Sequence, residues 1–208
     1  MSSVFSAGPR RDLHSHIARL CVLSEDLRIE IGGLNATQID EMDELGRKAR
    51  SLYFLRRSMG TLFEFAGAIA RIEALPEFSI VKDGFGPMAS RHWAKSVRFF
   101  HNNQSRIARL RHHVGGHFGQ QAAEHAIDTF GSTECGCIER AFYSDEGIDL
   151  RLCFSQVIAA TAYGVNVGGP STIKSGRDSG YRTLLSYRHA MRAVGCIVAC
   201  YLWDRFGR

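Results

Sequence analysis

Lysine is scarce in this 208-residue chain: Lys48, Lys82, Lys95 and Lys174 are the only four among 26 positive side chains, and the rest are arginine. Arginine's rigid planar fork suits phosphate and carboxylate oxygens, and its stem also covers apolar surface. With 21 acidic residues the net charge is +5, which permits nucleic-acid binding without demonstrating it. No run of roughly 20 apolar residues is present, as a membrane span would need; "AVGCIVACYLW" stops at Asp204 and reads as a buried terminal helix. "MSSVFSAGPRRDLHSH" has no apolar signal core, so a cytoplasmic location is expected. There is no internal repeat, no dinucleotide-binding glycine fingerprint and no Walker loop. Cys135 and Cys137 lie too close together for a zinc knuckle and lack a second pair. Cys196 and Cys200 share one helical face and read as core thiols.

What is present is helical periodicity. With 45% hydrophobic and 23% charged residues, the chain can bury one core. Leu13, Ile17, Leu20, Leu23 and Leu27 recur at three and four, predicting a helix from Asp12 to about Ile31 that Gly32 and Gly33 stop. A long second helix is predicted from an Asn35 or Thr37 cap to Leu75, with Gly46, Gly60 and Gly67 tolerated for close helix approach. "PEFSIVKDGFGPM" reads as a loop, and a third helix starts near Ser90 and reaches Leu110. A fourth spans Phe118 or Gln120 to Phe130; "GSTECGCIERAFYSDEGID" reads as a loop with a short strand or as an irregular helix. A shorter helix capped by Asp149 covers Leu150 to Ala162, a glycine-rich linker lies near 163–180, and a last helix runs from Tyr181 to about Phe206. The expected architecture is all-α: residues 1–208 as one bundle of about five to six helices.

The chemistry-bearing stretch is "RLRHHVGGHFG", Arg109 to Gly119. Histidine exchanges protons near neutrality, and arginine holds phosphate oxygens through paired hydrogen bonds. Together they suit RNA cleavage by the ribose 2′-hydroxyl, where the substrate carries its own nucleophile. Arg111 and His117, six apart, would be rotated by about 240° on an unbroken helix, roughly 9 Å apart along its axis. Either Gly115 and Gly116 break the helix, or two copies of the chain pool their groups across a two-fold axis. Two other readings stand beside this one. A polar helix end favours arginine and histidine for its partial negative charge. His113 and His117, four apart, could ligate a metal with help from Glu64. Arg106 and Arg109 are candidates for gripping flanking phosphates, with His113 beside them. His14 and His16 are read as decorating the first helix, and Phe99 and Phe100 as core.

Arg111, His112 and His117 resemble the signature of the HEPN superfamily: an arginine, a polar neighbour and a histidine a few residues on, near the junction of two helices in a small helical bundle. The resemblant core would span roughly 35–130. The resemblance implies a metal-independent endoribonuclease of toxin–antitoxin, phage-defence or RNA-processing type, with no cofactor and a composite site in a homodimer. It implies that Arg111 binds and stabilises the scissile phosphate, that His117 is the acid–base or phosphate-orienting group and that His112 is a polar helper. Products would carry a 2′,3′-cyclic phosphate and a 5′-hydroxyl. RNA, a second copy of the chain and a possible antitoxin or regulatory protein are the partners it implies. Other relatives of this kind bind RNA or protein without turnover, so a non-catalytic adaptor is the alternative function. A metal-binding helical enzyme is the second alternative.

Overall fold

The computed structural model describes residues 11–35, 44–112, 120, 124, 128, 138–143, 147–152 and 173–197. Five helices are described: α1 (Arg11–Asn35), α2 (Glu44–Glu73), α3 (Pro76–Asp83), α4 (Pro87–Leu110) and α5 (Ile173–Ile197). The expected helical bundle is the architecture found. The described residues also include an antiparallel hairpin, β1 (Ile138–Tyr143) on β2 (Gly147–Leu152), with Ile138 opposite Leu152 and Tyr143 opposite Gly147. No described helix is long and apolar enough to cross a membrane.

The four long helices form a closed ring of neighbours: α1 on α2, α2 on α4, α4 on α5, and α5 back on α1. Consecutive members run antiparallel. Gly33 of α1 meets Phe54 of α2 while Arg19, earlier in α1, pairs with Glu64, later in α2. Glu73 meets Trp93 while Phe65 stacks on Phe100. His189 sits by Ser96 while Cys196 reaches back to Ala89. Leu13, Ile17, Leu20 and Leu27 from α1, Met59, Leu62, Phe65, Ile69 and Ile72 from α2, Trp93, Phe100, Ile107 and Leu110 from α4, and Ala190, Ala193 and Ile197 from α5 are all buried in one core. Spacings of three and four along each helix explain this, since they place every third or fourth side chain on one stripe. A buried polar contact crosses the ring: the hydroxyls of Ser58 and Tyr187 hydrogen-bond to one another.

Several boundaries differ from the sequence reading. α1 runs through Gly32 and Gly33 to Asn35, so Asn35 ends the first helix and does not cap the second. Gly33 is there for contact: a Cβ on it would lie 2.5 Å from the Phe54 ring. Gly67, by contrast, faces open space, so close approach does not explain it. The stretch read as a loop from Pro76 forms α3, because Pro76 occupies the first helical turn, where a missing N–H is harmless, and Phe78 buries itself in the core. Pro87 starts α4 in the same way, three residues before Ser90. Asp149 and Leu150–Leu152 belong to β2 and not to a helix, and of the two readings of that region the short strand is the one found. α5 begins at Ile173, so the second half of the stretch read as a linker is helical. His14 is only 4% exposed, turned into the core and not decorating the surface. Phe100 is buried as expected, and half-buried Phe99 stacks on His189 at 4.5 Å. Cys196 is buried, its thiol donating to the Ala89 carbonyl at 3.3 Å. Cys135, Cys137, Cys153, Cys200, Thr37, the linker before residue 173 and the chain beyond Ile197 lie outside the described residues.

Candidate nucleic-acid interface

α4 is a 24-residue helix, about 36 Å long at 1.5 Å per residue. It contains no aspartate or glutamate. In fact no acidic residue occurs from Gly84 through Ala123. One side of α4 is buried against α2 and α5 through Trp93, Ser96, Phe100, Ile107 and Leu110. On the opposite side Arg91, Lys95, Arg98, Asn102 and Arg109 are all exposed. Their spacings of four, three, four and seven put them on one stripe. None of the four cations in that stripe is in an ion pair among the described residues. Arg106, at the edge of the stripe, is half-buried.

The stripe leads to the end of the helix that carries the motif. Arg111 keeps helical backbone angles (φ −62°, ψ −46°), and the chain widens to a π turn at Arg111–His112. Arg111 does not join the outer stripe. Its guanidinium lies over the ring of Phe63 on α2, 5.3 Å from the centroid, and His112 meets the edge of the same ring at 6.2 Å. Arg111 Nη1 and His112 Nδ1 are 3.4 Å apart, a long hydrogen bond. Half-buried Phe63 is therefore a platform that orients both motif residues, because a cation prefers the ring face and an imidazole its edge. A guanidinium held by a ring face keeps its N–H fork available for a phosphate oxygen.

The structure thus brings Arg111 and His112 together on Phe63, and it places exposed Arg109 apart, on the outer stripe. His113 and His117 lie outside the described residues, as does most of the helix expected from 118 to 130. Within that stretch Gln120, Glu124 and Asp128 are helical and exposed, and Gln120 donates to Glu124 at 2.7 Å. Glu64, considered above as a metal ligand, is ion-paired with Arg19. Among the described residues no group of three or more histidine, cysteine or acidic side chains is placed to hold a metal ion.

The sequence reading missed Arg91, Lys95, Arg98 and Phe63. The first three were legible as cations at helical spacing in a forty-residue stretch empty of acid. Phe63 was not, since only the packing of α2 against α4 brings it under the motif. A second basic cluster faces α5. Burial, followed by the charges of Arg192, Arg188, Lys95 and His92, pushes His189 below the ordinary imidazole value. The charges that act on it are all positive. Comparisons with protein-family models, curated proteins and solved structures return no match.

Proposed function

We propose that the protein binds RNA along the outer face of α4 and cleaves it, without a metal ion, at that helix's C-terminal end. The observation that carries the binding is the acid-free stripe of Arg91, Lys95, Arg98 and Arg109. Polyanions are held mainly by such arrays of cations, through release of condensed counterions. Cleavage rests on the resemblance of Arg111, His112 and His117 to the HEPN signature, supported by the ring-held guanidinium of Arg111.

In this reading the ribose 2′-oxygen forms a bond to phosphorus as the bond to the 5′-oxygen breaks. One proton leaves the 2′-hydroxyl and another reaches the departing 5′-oxygen. Arg111 stabilises charge on the non-bridging phosphoryl oxygens, His117 transfers a proton, and His112 steadies Arg111. Arg106, Arg109 and His113 hold flanking phosphates. Two copies of the chain complete the site by each contributing an arginine and a histidine. A toxin or phage-defence component, restrained by a protein partner and acting in the cytoplasm, is the setting this chemistry fits.

The test is incubation of the purified chain with mixed cellular RNA in EDTA, beside Arg111→Ala and His117→Ala. Discrete fragments with 2′,3′-cyclic ends, lost in both variants while their melting temperatures hold, support the proposal. Salt-sensitive RNA binding with no product assigns a non-catalytic adaptor instead. Cleavage that EDTA abolishes points to a metal enzyme using His113 and His117. Neither binding nor cleavage overturns the reading.

A further inference from the structure

The packing of α4 on α5 leaves a groove that the RNA reading does not use. It has a volume of about 710 Å3 and lies between the first turns of α4 and the C-terminal half of α5. Its apolar surface comes from Met88, Ala89 and Met191, and Arg188, Arg192 and His92 stand around it. Met88 is 73% exposed, an unusual setting for so large an apolar side chain. Met191 is held in place, its sulfur accepting the hydroxyl of Ser24 from α1 at 3.3 Å.

Among the described residues, the charged side chains lining this groove are all basic. Arg188 and Arg192 lie one turn apart on the same face of α5, and neither is in an ion pair among the described residues. The depressed His189 described above senses both, together with Lys95 and His92, and no carboxylate is among the groups that shift it. Nδ1 of His92, a ring atom buried from water, has no hydrogen-bond partner among the described residues. α4 opens onto the same groove at Gly86 and Pro87, with no side-chain cap and no acidic residue in its first turn.

We propose that this groove binds a free long-chain carboxylate, its head clamped by Arg188 and Arg192 and its tail lying over Met88, Ala89 and Met191. An arginine pair matches the two oxygens of a carboxylate. Methionine is flexible and polarisable, so it moulds to an aliphatic chain of variable shape. The volume falls within the range of about 300–1,000 Å3 usual for small-ligand sites. The site stands independently of the RNA reading.

The experiment is calorimetric titration of the full chain with decanoate below its micelle concentration, beside acetate and 1-decanol. Decanoate binds at one per chain, decanol more weakly, and acetate without measurable heat. The double variant Arg188→Gln with Arg192→Gln weakens decanoate roughly tenfold or more and leaves decanol unchanged. Met88→Glu, at an exposed position that folding tolerates, weakens both. Melting temperatures of the variants report whether they fold. Absence of saturable decanoate binding overturns the proposal, as does equal affinity in the double variant. Binding to phosphatidylglycerol-containing vesicles without binding of free decanoate assigns the groove to a membrane surface instead. Stoichiometric displacement of decanoate by a twelve-nucleotide RNA assigns it to the RNA face.

Discussion

The two halves of the bundle differ in how they treat charge. On the α1–α2 side, several charges find local partners: Arg19 pairs with Glu64, Arg28 with Glu25, and Lys82 of the adjoining α3 with Glu73. Buried Glu30 accepts a hydrogen bond from Thr61 at 2.8 Å. On the α4–α5 side, Arg91, Lys95, Arg98, Arg109, Arg188 and Arg192 accumulate with no ion pair among the described residues. Surface pairs contribute only about 0–1 kcal/mol each, so the first half gains solubility and helix register more than stability. Among the described residues these six cations are in no ion pair with a carboxylate. That contrast separates charge used within the fold from charge that the proposed function assigns to binding.

The most damaging way to break the contrast is to uncouple the halves. Phe65 of α2 is fully buried and stacks on Phe100 of α4, with centroids 5.8 Å apart. Phe65→Ala is expected to lower stability by about 3–5 kcal/mol, read as a drop of roughly 10 °C or more in melting temperature. A change of a degree or two would mean that the core does not bridge the halves as described. The next effect is on binding. Reversing Arg98→Glu together with Arg109→Glu should weaken RNA binding about a hundredfold and flatten its salt dependence. Arg28→Glu, on the paired half, should change affinity less than about twofold. Equal losses from the two reversals, measured by fluorescence anisotropy across a salt series, would erase the distinction.

A smaller effect sharpens the packing of the paired half. Gly33→Val drives a side chain into the Phe54 ring and should destabilise by about 1–3 kcal/mol. Gly32→Ala, facing open space on the same helix, should stabilise by about 0.5–1 kcal/mol. Denaturant titration of the two variants tests the sign of each. The smallest effect concerns pH. Burial raises Glu30 above the ordinary carboxylate value, against the lowering pull of Thr61 and Arg57. Its folded form therefore holds a proton longer than its unfolded form. The stability this contributes is full below the unfolded value and is lost as pH rises through the folded one. In Glu30→Gln that component vanishes, so the stability difference between wild type and variant should change as pH rises from the ordinary carboxylate range toward neutrality. A difference constant with pH would show that Glu30 titrates normally.

The helices were legible wherever apolar residues recurred at three and four, and their inner faces were read well: Leu13, Ile17, Leu62, Ile69, Trp93 and Ile197 all lie in the core. Punctuation was the weak point. Gly32 and Gly33 look the same in sequence, yet one faces open space and the other admits an aromatic ring, a difference that only the partner helix creates. Pro76 and Gly84 suggested a loop, but the eight residues Pro76–Asp83 suffice for α3 because Phe78 packs into the core. In the site, the local pair Arg111 and His112 was legible. Their ring platform was not, because Phe63 lies some fifty residues earlier in the chain.

Trp93 gives the molecule a built-in optical reporter. Its indole is 4% exposed, wedged between Phe78 of α3 and Phe85, and its N–H is engaged by Glu73. An indole so enclosed emits at short wavelength. In a Trp203→Phe background, its red shift would follow the departure of α3 from the end of the bundle. Circular dichroism, dominated by the four long helices, would barely register that event. Comparing the two signals during unfolding would show whether this corner opens before the rest.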